Sequence, residues 1–120
     1  LKNSFKKLDV LGERRYLQGR SFLQLPLNIV NKEKLDVPHI DIADFKHLVI
    51  LYYVTDADGE TVIYENQFNE HEKIPNFKEL KEKRRVMPKQ GRVVCFDGFH
   101  WHTSQQPTVG PRCIINYNVV

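Results

Sequence analysis

His39 and Asp41 stand two residues apart, so in an extended chain an imidazole and a carboxylate project from one face. With one further histidine from a distant strand, such a pair makes a facial triad that leaves three positions open on Fe(II). Those openings suit an oxygenase, which holds a co-substrate and dioxygen on the same ion. The stretch Phe99–Thr103 can supply the third ligand, because alternation puts His100 and His102 on one face and Phe99 and Trp101 on the other. Parity alone leaves both histidines open. Arg112 follows ten residues after His102 and begins an otherwise apolar strand, RCIINYNVV. Its planar, permanently charged guanidinium is the bidentate donor suited to a carboxylate. If a 2-oxo dicarboxylate chelates the iron through its 2-oxo acid end, its far carboxylate needs such a clamp. Asn116 and Asn118 share the face of Arg112, and inward amides are costly unless bonded, so they and His100 are candidates to line the substrate pocket.

Each feature has an ordinary alternative. A His-x-Asp pair is commonly a solvated loop histidine beside a turn aspartate. A lone arginine is commonly a surface ion pair, although one opening an apolar strand calls for a buried or ligand-derived partner.

The elements that must position these groups read as strands. His47–Thr55 is continuously apolar and rich in β-branched and aromatic residues, which predicts a central strand covered on both faces. Asp56–Gly59 is a turn, and Thr61–Glu65 is expected to form a hairpin with the strand before it. Phe22–Val30 reads as an edge or bulged strand because of Pro26. Val37–Asp41 is extended, since the residue before Pro38 is driven out of helical space. Phe5, Leu8 and Leu11 allow a short helix within Leu1–Gln18, and Asn76–Lys83 allows a helical turn inside a polar excursion over Gln67–Arg85. Val86–Pro88 is a candidate short strand, Lys89–Gly91 a turn, and Arg92–Phe96 and Arg112–Val119 are strands. On this reading one sheet face carries both an imidazole and, on the neighbouring strand, the guanidinium. The whole predicts a mainly β, antiparallel jelly roll with little helix.

Apolar and charged fractions of 41% and 28% over 120 residues are those of one globular domain spanning 1–120. The formal charge of +3 comes from Lys and Arg interleaved with Asp and Glu, which predicts no nucleic-acid footprint. No apolar run approaches the roughly 20 residues of a membrane span, and the charged start does not read as a signal peptide. Cys95 and Cys113 lie in apparent strands with no CxxC spacing, so a reduced, cytoplasmic setting is expected. His47 reads as an edge residue and His71, within NEHEK, as solvated. Oligomeric state is not legible.

The order His39-x-Asp41, LYYV, DGET, P-x-x-G-R-V-V-x-F-D-G, His102 and Arg112 resembles the Fe(II)- and 2-oxoglutarate-dependent dioxygenases, in particular their short phage and bacterial members and the prolyl-hydroxylase-like branch. The resemblance covers about residues 36–120. It implies a double-stranded β-helix with a cupin-like barrel. It further implies iron on His39, Asp41 and His102, with Arg112 on the distal carboxylate of 2-oxoglutarate. The second tyrosine of a YY pair in that branch falls on Tyr53 and implies a further contact to the same carboxylate. Hydroxylation of a prime substrate would release succinate and carbon dioxide, with ascorbate as a reductant. The substrate, whether peptidyl proline or a small molecule, is not named by the residues. Helices usually precede the barrel in this family, and their near absence here implies a domain lacking upstream helices. Two other readings compete. A cupin-type metal isomerase or lyase is favoured by the His-x-His at His100 and His102, and a non-catalytic jelly-roll module would leave the histidines incidental.

Overall fold

The computed structural model describes residues 15–26, 35–72 and 75–120. Its strands are β1 (Tyr16–Gln24), β2 (Leu48–Tyr53), β3 (Thr61–Gln67), β4 (Glu82–Val86), β5 (Val93–Asp97), β6 (His100–Ser104) and β7 (Arg112–Val119). A single 3-10 turn, Phe77–Glu79, capped by the Asn76 side chain, interrupts the strands among the described residues. The chain is therefore mainly β. It forms two antiparallel sheets, ordered β1-β7-β2-β5 and β4-β3-β6.

β2 is central, as its composition demands. It is hydrogen-bonded to β5 on one side and β7 on the other, and alternation splits its apolar side chains between two clusters. Val49, Leu51 and Tyr53 face inward and pack with Ile114 of β7 and Val86 of β4, which joins the two sheets. Ile50 packs on the opposite face with Tyr117 and Val119. Both faces of β2 are thus dry, and β-branched and aromatic residues suit that position.

Several expectations change. β2 and β3 do not form a hairpin: both edges of β2 are already taken, and β3 pairs with β4 and β6 in the other sheet. The imidazoles of β6 and the guanidinium of β7 consequently do not share a sheet face. They approach one another from facing sheets. The described strands form these two separate sheets and not a closed cupin-like barrel. The helical turn expected over Asn76–Lys83 shrinks to the 3-10 turn, and the short strand expected at Val86–Pro88 ends at Val86, having begun at Glu82. The edge strand expected at Phe22–Val30 is an edge strand, but it lies earlier, over Tyr16–Gln24. Residues 27–30 lie outside the described residues, as does most of the helix considered for Leu1–Gln18. Gly91, at φ 81°, makes the turn into β5.

His47 is buried and not an edge residue; its ring lies against Gly98, where an added Cβ would come within 2.1 Å of Nε2. His71 is exposed and pairs loosely with Glu70 at 3.5 Å. Cys95 and Cys113 are not in disulfides. No helix among the described residues is long and apolar enough to cross a membrane.

Candidate metal centre

β6 offers one edge to β3 and the other to the segment 35–39. His39 N–H donates to the His102 carbonyl at 2.9 Å, and His102 N–H returns a bond at 3.2 Å, so the two histidines sit directly opposite one another. Pro38 keeps Val37 extended on the approach. Asp36 pins the start of the segment, its N–H on the Ser104 carbonyl and its own carbonyl taking the Thr103 hydroxyl at 2.7 Å. Distant stretches are thereby held in register by main-chain bonds. Local parity could not choose between His100 and His102; this pairing does.

The result is a cluster in which one ligand atom each from His39, Asp41 and His102 lies within 4.8 Å of the others. Asp41 Oδ1 is 3.2 Å from His39 Nε2 and 3.3 Å from His102 Nε2. The Asp41 and His102 side chains are 2% and 5% exposed, whereas His39 is 54% exposed, so the centre is buried on two sides and open on the third. His102 Nδ1 lies 2.9 Å from the His100 carbonyl and must donate to it. A neutral ring then carries its lone pair on Nε2, the tautomer a metal requires. That Nε2 is buried and makes no hydrogen bond, for although Asp41 Oδ1 is near, the directions do not fit one. The free Nε2 of His102 and Asp41 Oδ1 thus offer electron pairs to one point, with His39 Nε2 beside them. These residues fit a divalent cation such as Fe(II), and the cluster could hold one.

The remaining Asp41 oxygen, Oδ2, accepts the side-chain N–H of Asn116 and of Asn118, each at 2.9 Å. Burial raises the Asp41 pKa, but the close approach of the His102 and His39 imidazoles and the Asn118 amide outweigh it. The carboxyl is held far below the ordinary carboxylate range. The asparagines therefore orient the carboxylate and do not face an open pocket as a pair; Asn118 is 1% exposed. Asn118→Ala removes one of the two amides, and the expected outcome is metal affinity lowered about tenfold, measured by titration with Mn(II).

Arg112 is 2% exposed. Its Nε donates to the Gly59 carbonyl at 2.8 Å, one terminal nitrogen to Thr61 Oγ1 at 2.8 Å and the other to Gln24 Oε1 at 3.1 Å. All three acceptors are neutral. Burial lowers its pKa, and Tyr53 and Asp36 act the other way; a guanidinium stays charged regardless. Tyr53 is wholly buried, donates its hydroxyl to the same Thr61 Oγ1 at 2.7 Å, and sits under the guanidinium, whose carbon is 6.0 Å from the ring centroid. It supports Arg112 from behind and is not on the cavity wall.

A cavity of about 550 Å³ lies between the sheets, lined by His39, Asp41 and His102, by Arg112, and by Leu51 and Ile114 among others. That volume is in the range of small-molecule sites. β7 sets the spacing along it. Arg112, Ile114 and Asn116 succeed one another on the inner face, so the guanidinium strand position is roughly 13 Å from the amide that holds Asp41. His100 is not on this wall. Its Nδ1 is 2.8 Å from the Tyr64 carbonyl and its Nε2 takes the Gln67 amide at 3.2 Å, so both ring nitrogens are engaged.

Sequence reasoning gave no role to Gly59, Thr61, Gln24 or Asp36. The first two were visible as part of DGET, but only the fold shows their use. A Cβ on Gly59 would lie 2.4 Å from the Gln105 carbonyl oxygen and 3.2 Å from Arg112 Cδ. Gly59→Ala is expected to cost about 1–3 kcal/mol of stability and to disturb the Arg112 end of the cavity while sparing metal uptake. Thermal unfolding and a metal titration together check it.

Compared with known proteins, the chain matches no family model and no curated sequence, so the reading of the site rests on its own geometry.

Proposed function

We propose that this chain is an Fe(II)- and 2-oxoglutarate-dependent dioxygenase that hydroxylates a prime substrate, and that its two sheets are those of a double-stranded β-helix. The observation that carries the reading is the pairing of two features in one cavity. At one end the buried, unbonded Nε2 of His102 faces Asp41 and His39. On the same wall a buried guanidinium donates, among the described residues, to three neutral acceptors. A cation site beside an anion clamp fits a co-substrate that chelates a metal by one end and carries a carboxylate at the other.

His39, Asp41 and His102 would hold the iron, and Arg112 would bind the distal carboxylate of 2-oxoglutarate. When bound, the iron supplies the oxidation chemistry that couples decarboxylation of 2-oxoglutarate and use of dioxygen to hydroxylation. The protein's part is positional. The His100 carbonyl holds the His102 ring in its ligand tautomer, and Asn116 and Asn118 keep Asp41 Oδ1 directed at the site. Leu51 and Ile114 keep water from the floor between the two ends. Gln24 is the partly buried partner of Arg112 and the one of the three that can swing aside for a carboxylate.

The engagement of both His100 nitrogens weighs against a cupin-type centre using a His-x-His pair. The test is succinate release with Fe(II), ascorbate and 2-oxoglutarate over pooled substrates, alongside the fluorescence of Trp101, which adjoins His102 in sequence. Quenching by Fe(II) plus 2-oxoglutarate and substrate-dependent succinate are expected. Metal uptake without any response to 2-oxoglutarate would favour an isomerase or lyase. No metal uptake would leave a binding module.

A further inference from the structure

We propose that Arg20 anchors a carboxylate of the prime substrate, so that the substrate is a small molecule carrying a free carboxylate. This rests on the dioxygenase reading of the cavity and names what its open side takes.

β1 forms the rim of the cavity. Arg20, Phe22 and Gln24 lie opposite Asn116, Ile114 and Arg112 of β7, and all three line the cavity wall. Residues directly opposite in an antiparallel pair share a sheet face with their side chains about 5 Å apart. Gln24 is therefore beside Arg112 and bonds to it. Arg20 is beside Asn116, the residue whose amide holds Asp41. The cavity thus has a guanidinium at each end of one wall, roughly 13 Å apart along the strands. The deep one faces the co-substrate tail, and the outer one flanks the metal end.

Arg20 is exposed, and its guanidinium carbon lies 5.7 Å from the Phe22 ring centroid, which favours a stacked orientation over the rim. Among the described residues it has no carboxylate partner. Both acids on the cavity wall are engaged elsewhere. Asp36 takes the side chains of Gln24, Ser104 and Gln106, and Asp41 takes two amides on one oxygen while the other faces the two imidazoles. Arg112 and the chelating centre between them suit both ends of one dicarboxylate. Arg20 is left with its fork unused, at the open side where a second ligand enters. A bidentate carboxylate is the partner that geometry suits best.

The experiment is a thermal-shift measurement under nitrogen with Mn(II) and 2-oxoglutarate, adding pooled L-amino acids and small monocarboxylic acids, or the same compounds as primary amides. Some acids should raise the melting temperature and their amides should not. Arg20→Gln should weaken the response to those acids at least tenfold, Arg20→Lys should weaken it less, and both should keep the wild-type response to Mn(II) and 2-oxoglutarate. Amides binding as well as acids, no binding of either pool, or an Arg20→Gln protein that still binds acids would each overturn the assignment. So would a loss of 2-oxoglutarate affinity in Arg20→Gln, which would put Arg20 in the co-substrate site. A wild-type protein that ignores Mn(II) would bring down the dioxygenase reading itself, an outcome separate from all of these.

Discussion

Asp41→Asn is expected to fold and to lose metal. In the native site Oδ2 takes two asparagine amides, and Oδ1 faces two imidazole nitrogens at 3.2 Å and 3.3 Å. An asparagine of the same shape can keep its oxygen toward Asn116 and Asn118 and turn its NH2 toward His39 and His102. The neutral amide then offers a cation neither a charge nor a lone pair at that point. The buried anion is gone as well, and with it the interactions that hold its pKa far below the ordinary range and so favour the folded state at neutral pH. Affinity for Mn(II), measured by calorimetric titration, should fall at least about 100-fold, beyond what loss of an outer partner costs. The melting temperature of the metal-free protein should fall modestly at neutral pH, because the stabilising carboxylate is lost. An Asp41→Asn protein that binds Mn(II) like the wild type would mean that the three side chains are not the metal centre.

Arg112→Met is expected to separate the co-substrate from the metal. Truncating the guanidinium leaves the Gly59 carbonyl, in a buried setting, without its donor, and loses the bonds to Thr61 and Gln24. The unmet acceptor and lost packing together cost about 3 kcal/mol. Met fills part of the stem volume and limits the damage. Binding of 2-oxoglutarate to the Mn(II)-loaded protein should fall below detection, while Mn(II) affinity stays within about twofold, because the strand positions of clamp and centre are well separated. Arg112→Lys isolates the geometry from the charge. A lysine keeps the cation but replaces a three-way fork with a compact ammonium, so at least a tenfold loss of 2-oxoglutarate affinity, about 1.4 kcal/mol, is expected. An Arg112→Met protein that binds 2-oxoglutarate normally would show that the buried guanidinium serves the fold alone.

The two variants form a matched pair. Asp41→Asn abolishes metal and therefore both ligands; Arg112→Met abolishes one and spares the other. A merely structural role for either residue predicts loss of stability with no such division.

Alternation along single strands is legible in the sequence itself. It set Arg112, Ile114, Asn116 and Asn118 on one face of β7, and His100 and His102 on one face of β6, because side chains in a strand can point only two ways. The unbroken apolar run of β2 likewise required a strand covered on both faces, and it is one. Pairing was another matter. The Asp56–Gly59 turn between two apolar runs reads as a hairpin, yet the runs part into separate sheets, since β5 and β7 hold both edges of β2. Which strand lies beside which depends on partners tens of residues away, and period-two patterning carries no information about them.

The site divides in the same way. The residue types at His39, Asp41, His102 and Arg112 already suggested a cation centre and an anion clamp, and the first three do converge as a group that could hold a metal ion. That His102 and not His100 meets His39 was decided by the main-chain bridge between residues 39 and 102, a contact between distant segments. That Asn116 and Asn118 serve Asp41, and that Tyr53 reaches Arg112 only through Thr61 and its ring face, followed from the facing of two sheets. Local chemistry chose the functional groups, and long-range packing decided which of them touch, because a hydrogen bond needs about 3 Å of proximity that no linear spacing can guarantee.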